Sequence, residues 1–129
     1  MGVFINFSNH QTSKWSIEQK NAAYALADTD HVVDMKFPKV PTDADSDEIE
    51  RLAFEYVATM RELIGDEEGY VMVQGEASLS CAVVQMLNNP ANYKITPVCA
   101  TTERIAKEMP DGSINRKFEF VRFREYCNL

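Results

Sequence analysis

Short apolar runs alternate with stretches of helical period along the whole chain, and that alternation limits the fold more than any other feature. Val3-Phe4-Ile5-Asn6-Phe7 is a first apolar run, ended by Ser8-Asn9-His10. A helix is expected from Ser16, where Ser16 and Gln19 stand at capping-box spacing and residues 22–27 are mostly good helix formers. His31-Val32-Val33-Asp34-Met35 reads as a second strand, closed off by Pro38 and Pro41. Asp43, Asp45, Asp47 and Glu48 then crowd the start of a second helix, where the helix dipole favours negative charge. Ile49, Leu52, Ala53, Tyr56, Val57, Met60, Leu63 and Ile64 recur at helical spacing, and Gly65 ends the run. Tyr70 to Gln74 is a third strand. Ala77 to Leu87 is a third helix, apolar on nearly every side and so expected to be deeply packed.

Lys94 to Ala100 is the fourth strand, with Thr101-Thr102-Glu103-Arg104 expected as a polar loop after it. Ile105 to Met109 reads equally as strand or short helix. Pro110-Asp111-Gly112-Ser113 is a turn signal, because proline presets φ and glycine tolerates φ > 0. Lys117 to Arg124 is the last strand. Strands alternating with helices predict an α/β fold: a Rossmann-like, mostly parallel sheet with helices on both faces, closed at one edge by a C-terminal β-hairpin. The 129 residues carry no linker or repeat, and a single domain over 1–129 is expected.

Composition narrows the partners. With 13 Lys+Arg against 20 Asp+Glu the net charge is −7, so long DNA or RNA is repelled overall. Seven of the 13 basic residues, from Lys94 onward, make the C-terminal third locally basic. No apolar run approaches the ~20 residues of a bilayer span, and the opening MGVFINFSNH has no basic n-region. A cytosol is the expected compartment. Cys81, Cys99 and Cys127 are odd in number and form no CxxC pair, so they are read as reduced, with Cys81 and Cys99 in the core. His10 and His31 are too far apart to suggest a metal pair, and neither a metal nor a cofactor is expected.

In an open parallel sheet, ligands bind beyond the carboxyl ends of the strands. Three polar segments fall there: Ser8-Asn9-His10, Gln74-Gly75-Glu76 and Thr101-Thr102-Glu103-Arg104. Each has two readings. Ser8, Asn9 and His10 either hold a phosphate or ribose, with His10 moving a proton, or satisfy the turn's own backbone. Gly75 and Glu76 either approach a ligand closely or form an ordinary helix start with a dipole-complementing acid. Thr101, Thr102 and Arg104 suit phosphate oxygens, or form a solvent-facing loop. Trp15 either stacks on a base or staples the helix start, and Phe118 and Phe120 are expected in the core.

Phe4-Ile5-Asn6-Phe7-Ser8-Asn9-His10, followed by a helix starting near Trp15-Ser16, resembles the "NFS-H" opening of small CRISPR-associated accessory proteins. These belong to the ring-nuclease-like group of type III systems, related in architecture to CARF domains, which are Rossmann-like dimers that bind cyclic oligoadenylates. Ala100-Thr101-Thr102-Glu103-Arg104 looks like the polar loop that such domains place against the ligand. Many CARF domains carry a Gly-rich loop with Lys there; here Arg104 would take that part. The resemblance implies an antiviral-defence homodimer that cradles cyclic tetra-adenylate between matching loops, with no membrane and no long nucleic acid as partner. It implies that main-chain amides, Ser8, Thr101, Thr102 and Arg104 hold the phosphates; Asn9, Gly75 and Glu76, which the strand-end rule selects, complete the expected ligand set. Cleavage would need no metal: a ribose 2′-hydroxyl attacks the adjacent phosphorus, leaving a 2′,3′-cyclic phosphate and a free 5′-hydroxyl. His10 would serve as acid or base and Arg104 would stabilise the developing charge. Without in-line geometry the same pocket would only sequester the messenger. Two other readings stand beside this one: a nucleoside or nucleotide enzyme using Glu76 as nucleophile or acid, and a non-catalytic interaction module.

Overall fold

In the computed structural model, which describes residues 1–129, β1 (Gly2–Ser8) lies near the centre of a five-stranded sheet. β2 (Val33–Lys36) and β3 (Glu68–Gln74) flank it in parallel, β4 (Ile95–Glu108) runs parallel to β3, and β5 (Ile114–Glu125) returns antiparallel along β4. The spatial order is β2-β1-β3-β4-β5. The connections are α1 (Ile17–Ala27), α2 (Ser46–Ile64) and α3 (Ala77–Leu87). The expected α/β architecture with helices on both faces and a C-terminal hairpin is the one observed. The first crossover steps from β1 to one side and the next steps back across it. With right-handed crossovers, that reversal puts α1 on one face and α2 with α3 on the other. It also makes the β1/β3 boundary the topological switch point, where open α/β sheets bind ligands.

Alternation along the strands divides the core into two layers. Ile5, Phe7, Val71 and Val73 face α2 and α3, against the stripe Ile49, Ala53, Val57, Met60 and Ile64. Phe4, Met72 and Val98 face α1, with Trp15, Ala23 and Phe123. Asp45 caps α2 by accepting from the amide of Glu48 at 2.9 Å, and Ser16 caps α1 by accepting from Gln19 at 3.2 Å. Both helix starts therefore follow the expected chemistry. The 110–113 turn does too, with Asp111 accepting from Ser113 and Gly112 at φ 87°.

Four expectations need correction. Thr101 to Arg104 is not a loop: β4 continues unbroken through it to Glu108, so the expected loop and the ambiguous Ile105–Met109 segment are one 14-residue strand. β3 stops pairing with β4 at Val98; beyond it the ladder of β4 is with β5 alone, and past the Gln74 contact at Ala100 the two strands project as an arm. Phe118 lies on that arm and is 73% exposed rather than in the core; Phe120, nearer the sheet, is half-buried. Cys81 is exposed and Cys99 half-buried. The buried stripe of α3 is Leu79-Val83-Leu87, and Cys81 falls two residues on from Leu79, about 200° around the helix. An outward stripe of Ser78, Cys81 and Gln85 runs along a helix expected to be deeply packed throughout.

Candidate functional site

On the α1 face, each of three parallel strands changes from apolar to polar toward its carboxyl end. In β1 the series is Phe4, Asn6, Ser8; in β3 it is Tyr70, Met72, Gln74; in β4 it is Val98, Ala100, Thr102. Register aligns the series, pairing Asn6 with Met72 and Ser8 with Gln74. The apolar ends pack beneath α1. The polar ends leave an open cleft of about 750 Å³ between the first turn of α1 and the β4–β5 arm, at the switch point. Met72, Gln74, Ala100 and Thr102 line it from the sheet; His10, Lys14, Trp15 and Gln19 line it from the α1 side; Phe118, Glu119 and Phe120 line it from the arm.

The β1–α1 loop is held by buried polar groups. Asn6, 1% exposed, donates through Nδ2 to the carbonyl of His10 at 2.7 Å and to Asp34 Oδ1 at 2.9 Å. Ser8 donates to Asn6 Oδ1 at 2.6 Å and accepts from the amide of His10 at 3.1 Å. Trp15 donates from Nε1 to the same His10 carbonyl at 3.2 Å, with its ring against Phe4 and Phe123. Asp34, beside Asn6 in the sheet, also accepts from the amide and hydroxyl of Thr12. The main chain of His10 is thus fixed from both sides while its imidazole stays exposed at the cleft.

Of the residues singled out from sequence, His10 and Thr102 line this cleft together. Ser8 is buried beneath the loop, in the network just described, and Asn9 is exposed beside it. Thr101 faces away from the cleft, its hydroxyl donating to the carbonyl of Arg122 at 3.0 Å beside a β-bulge. Arg104 shares a face with Thr102 but stands two residues further out, about 7 Å along the strand, exposed on the arm and outside the residues that line the cleft. Lys14 was not singled out, and Gln74 was named only as the first residue of the Gln74-Gly75-Glu76 segment, with no role of its own. Gln74 accepts through Oε1 from the amide of Ala100 at 2.8 Å, tying β3 to β4 where their ladder ends. Asn6, Thr12 and Asp34 were also missed: Asn6 sits inside an apolar run, and its two partners lie 6 and 28 residues away.

Gly75 and Glu76 belong to the opposite layer. A Cβ on Gly75 would fall 2.5 Å from the buried ring of Phe37, so this glycine permits packing rather than ligand approach. Glu76 is the N-cap of α3, accepting from the amides of Ser78 and Leu79 at 2.9 Å each. The Ser78 hydroxyl, followed by those two amides, holds its carboxyl below the ordinary value of 4.5. Such a depressed acid stabilises fully above that value, and the contribution is lost as pH falls through its folded pKa. Glu76→Gln is therefore expected to flatten the acid side of the stability profile, read as the urea midpoint between pH 6 and pH 3. An unchanged slope would remove Glu76 from acid unfolding.

The electrostatics of the cleft are mixed. Lys14 and the unpaired first-turn amides of α1 favour an anion at one end, while Arg104 stands exposed further out on the arm, beside Phe118 and beyond the lining residues. Glu18 at the rim suits hydroxyl or amine donors, whereas the carboxyl of Glu119 alternates to the opposite face of β5 from Phe118 and Phe120. Trp15 and Phe120 supply apolar surface, and Phe118 offers a free aromatic face. No helix is long and apolar enough to cross a membrane.

Residues 2–124 match the family described as "Uncharacterized protein MJ1673 family". A relative described as "Uncharacterized protein MJ1673", from Methanocaldococcus jannaschii, is 40% identical over 60 residues. That stretch covers 44% of this chain and 44% of the relative, so the match spans less than half the relative's length. No solved structure matches.

Proposed function

The chain belongs to the Uncharacterized protein MJ1673 family, and from the cleft its fold builds we propose that it binds a cyclic oligoadenylate, cyclic tetra-adenylate first among them, and lowers its level by cleavage or by sequestration. The observation that carries this reading is the cleft itself. About 750 Å³ of open space at the switch point brings together an imidazole, an ammonium, a helix start, an amide and a hydroxyl beside exposed aromatic surface. Phosphates suit Lys14, the amides at the start of α1, and Arg104. Adenine faces suit Phe120 beside Trp15, and the base amine and ribose hydroxyls suit Glu18 and Gln74. The opening of β1 adds the ring-nuclease-like resemblance, with CRISPR-linked antiviral defence as its setting. A cyclic ligand with two-fold symmetry fits a homodimer whose two clefts adjoin.

Cleavage needs the 2′-hydroxyl in line with the scissile P–O bond. A base removes its proton, and an acid protonates the departing 5′-oxygen. In this reading the proton is moved by His10, supported by its exposed ring at the cleft on a loop fixed through its own backbone. Arg104, further out on the arm, would in the same reading have to swing toward the ligand to meet the phosphorane charge.

Calorimetric titration with cyclic tetra-adenylate and cyclic hexa-adenylate, followed by chromatography of the same samples without added metal, tests the reading. Binding near one ring per two chains is the expected result, and no heat with either ring overturns it. Arg104→Ala is expected to weaken binding roughly tenfold, the ~1.4 kcal/mol of one charge-assisted contact. His10→Ala is expected to bind nearly as well but to slow any cleavage at least 100-fold. Unchanged affinity in a folded Arg104→Ala protein, or equal turnover in His10→Ala, removes that residue from its role.

A further inference from the structure

The projecting arm is a poor structure for a free monomer. From Cys99 outward β4 pairs only with β5, and a lone two-stranded ribbon is marginally stable in water. β5 is also the terminal strand of the sheet, 12 residues long, with an unpaired outer edge. Phe118 and Val121 on it are 73% and 55% exposed. A long edge with exposed apolar side chains is a template for another strand.

The sequence of β5 selects its own copy. A two-fold axis normal to the sheet pairs two β5 strands antiparallel and keeps each side chain on its face. Only registers with one residue on the dyad satisfy that symmetry. Arg116, Lys117 or Glu119 on the dyad would set a like-charged pair directly opposite each other. Phe120 on the dyad places the bulge beside Val121 at the centre of the pairing. Phe118 on the dyad avoids both faults. It sets the two most exposed aromatic rings of the arm against each other and Lys117 opposite Glu119 of the partner, twice over.

We propose that this chain dimerises through the outer edge of β5, with Phe118 on the two-fold axis, forming a continuous ten-stranded sheet. In that register Phe120, on the cleft wall, faces the partner's Arg116. Both clefts open on the same face, on either side of the dyad. Each cleft is then completed by a guanidinium from the other chain, which adds a cation where one chain alone supplies mainly Lys14 and Arg104. This deepens the dimeric part of the nucleotide reading and rests on that reading only there.

The test uses no nucleotide, so its failure and the failure of the ligand reading are distinguishable. Sedimentation of the full chain is expected to show a dimer. Lys117→Glu or Glu119→Lys alone sets like charges opposite each other and is expected to weaken the dimer at least tenfold. The combined Lys117→Glu/Glu119→Lys protein is expected to regain it. With Cys81, Cys99 and Cys127 replaced by serine, Phe118→Cys is expected to form an inter-chain disulfide on mild oxidation. Directly opposite Cα atoms at 4.5–5.5 Å lie within disulfide reach (about 4.4–6.8 Å). Asn115→Cys, whose neighbour in this register is Val121 of the other chain, is expected to stay reduced. A monomeric wild type, a dimer indifferent to the swaps, or cross-linking at Asn115→Cys but not at Phe118→Cys overturns the proposal. Circular dichroism of each variant guards against reading misfolding as dissociation.

Discussion

Phe4→Ala is expected to destabilise the fold by about 3–5 kcal/mol. Phe4 is fully buried, and its ring meets Trp15 edge-on at 6.1 Å between centroids and Phe123 at 5.0 Å. Those contacts join β1 to the loop that follows it and to β5, which lies at the other end of the chain. The α1 layer contains only seven buried apolar residues, against 14 on the other face, so little can relax into the space left behind. Since a domain of this size is stable by about 5–15 kcal/mol, the loss is a large part of the total. Urea unfolding reads it as a lower midpoint with an unchanged slope. A change below about 1 kcal/mol would mean that the layer repacks freely and that Trp15 does not depend on Phe4. The substitution is also expected to loosen the cleft, because Trp15 both packs on Phe4 and holds the His10 carbonyl.

Asn6→Leu is expected to cost about 2–4 kcal/mol, although it places an apolar residue in an apolar strand. It removes the acceptor of the buried Ser8 hydroxyl and a donor to both the His10 carbonyl and Asp34. A leucine offers nothing to those groups, and the site is closed to bulk water. Asn6→Asp separates shape from hydrogen bonding. It keeps the volume but sets a second carboxylate within 2.9 Å of Asp34 Oδ1, so this variant is expected to be least stable near neutral pH and to recover toward acid. In both variants the cyclic oligoadenylate affinity proposed for the cleft should fall at temperatures where the protein is still folded, because the His10 loop loses its anchor. Wild-type stability in Asn6→Leu would show that the network merely decorates the loop.

Much of the architecture was legible in the residues. Helical period in α2, the capping pair Ser16 and Gln19, the acids leading to Asp45, and the proline–glycine turn at 110–113 are local signals, and each element formed where its signal lay. The course of β4 was not legible. Thr101-Thr102-Glu103-Arg104 is polar because both faces of the arm meet water, and polarity in a strand without a buried face reads as a loop. Phe118 and Phe120 misled in the opposite sense: their alternation is that of a half-buried strand, but the layer beneath ends near Phe123. At the site, His10 and Thr102 were found because they follow or end apolar runs. Gly75 and Glu76 meet the same criterion yet serve α3 and Phe37.

By itself the sequence determined the elements and the parallel sheet. Period, caps and breakers act over a few residues, and right-handed crossovers leave few ways to arrange the rest. Tertiary structure alone decided which polar residues meet. Asn6 reaches Asp34 across 28 positions, Gln74 reaches Ala100 across 26, and Phe120 closes a cleft begun by His10. Strand register and the choice of face set these encounters, and both are fixed only when the two apolar layers pack.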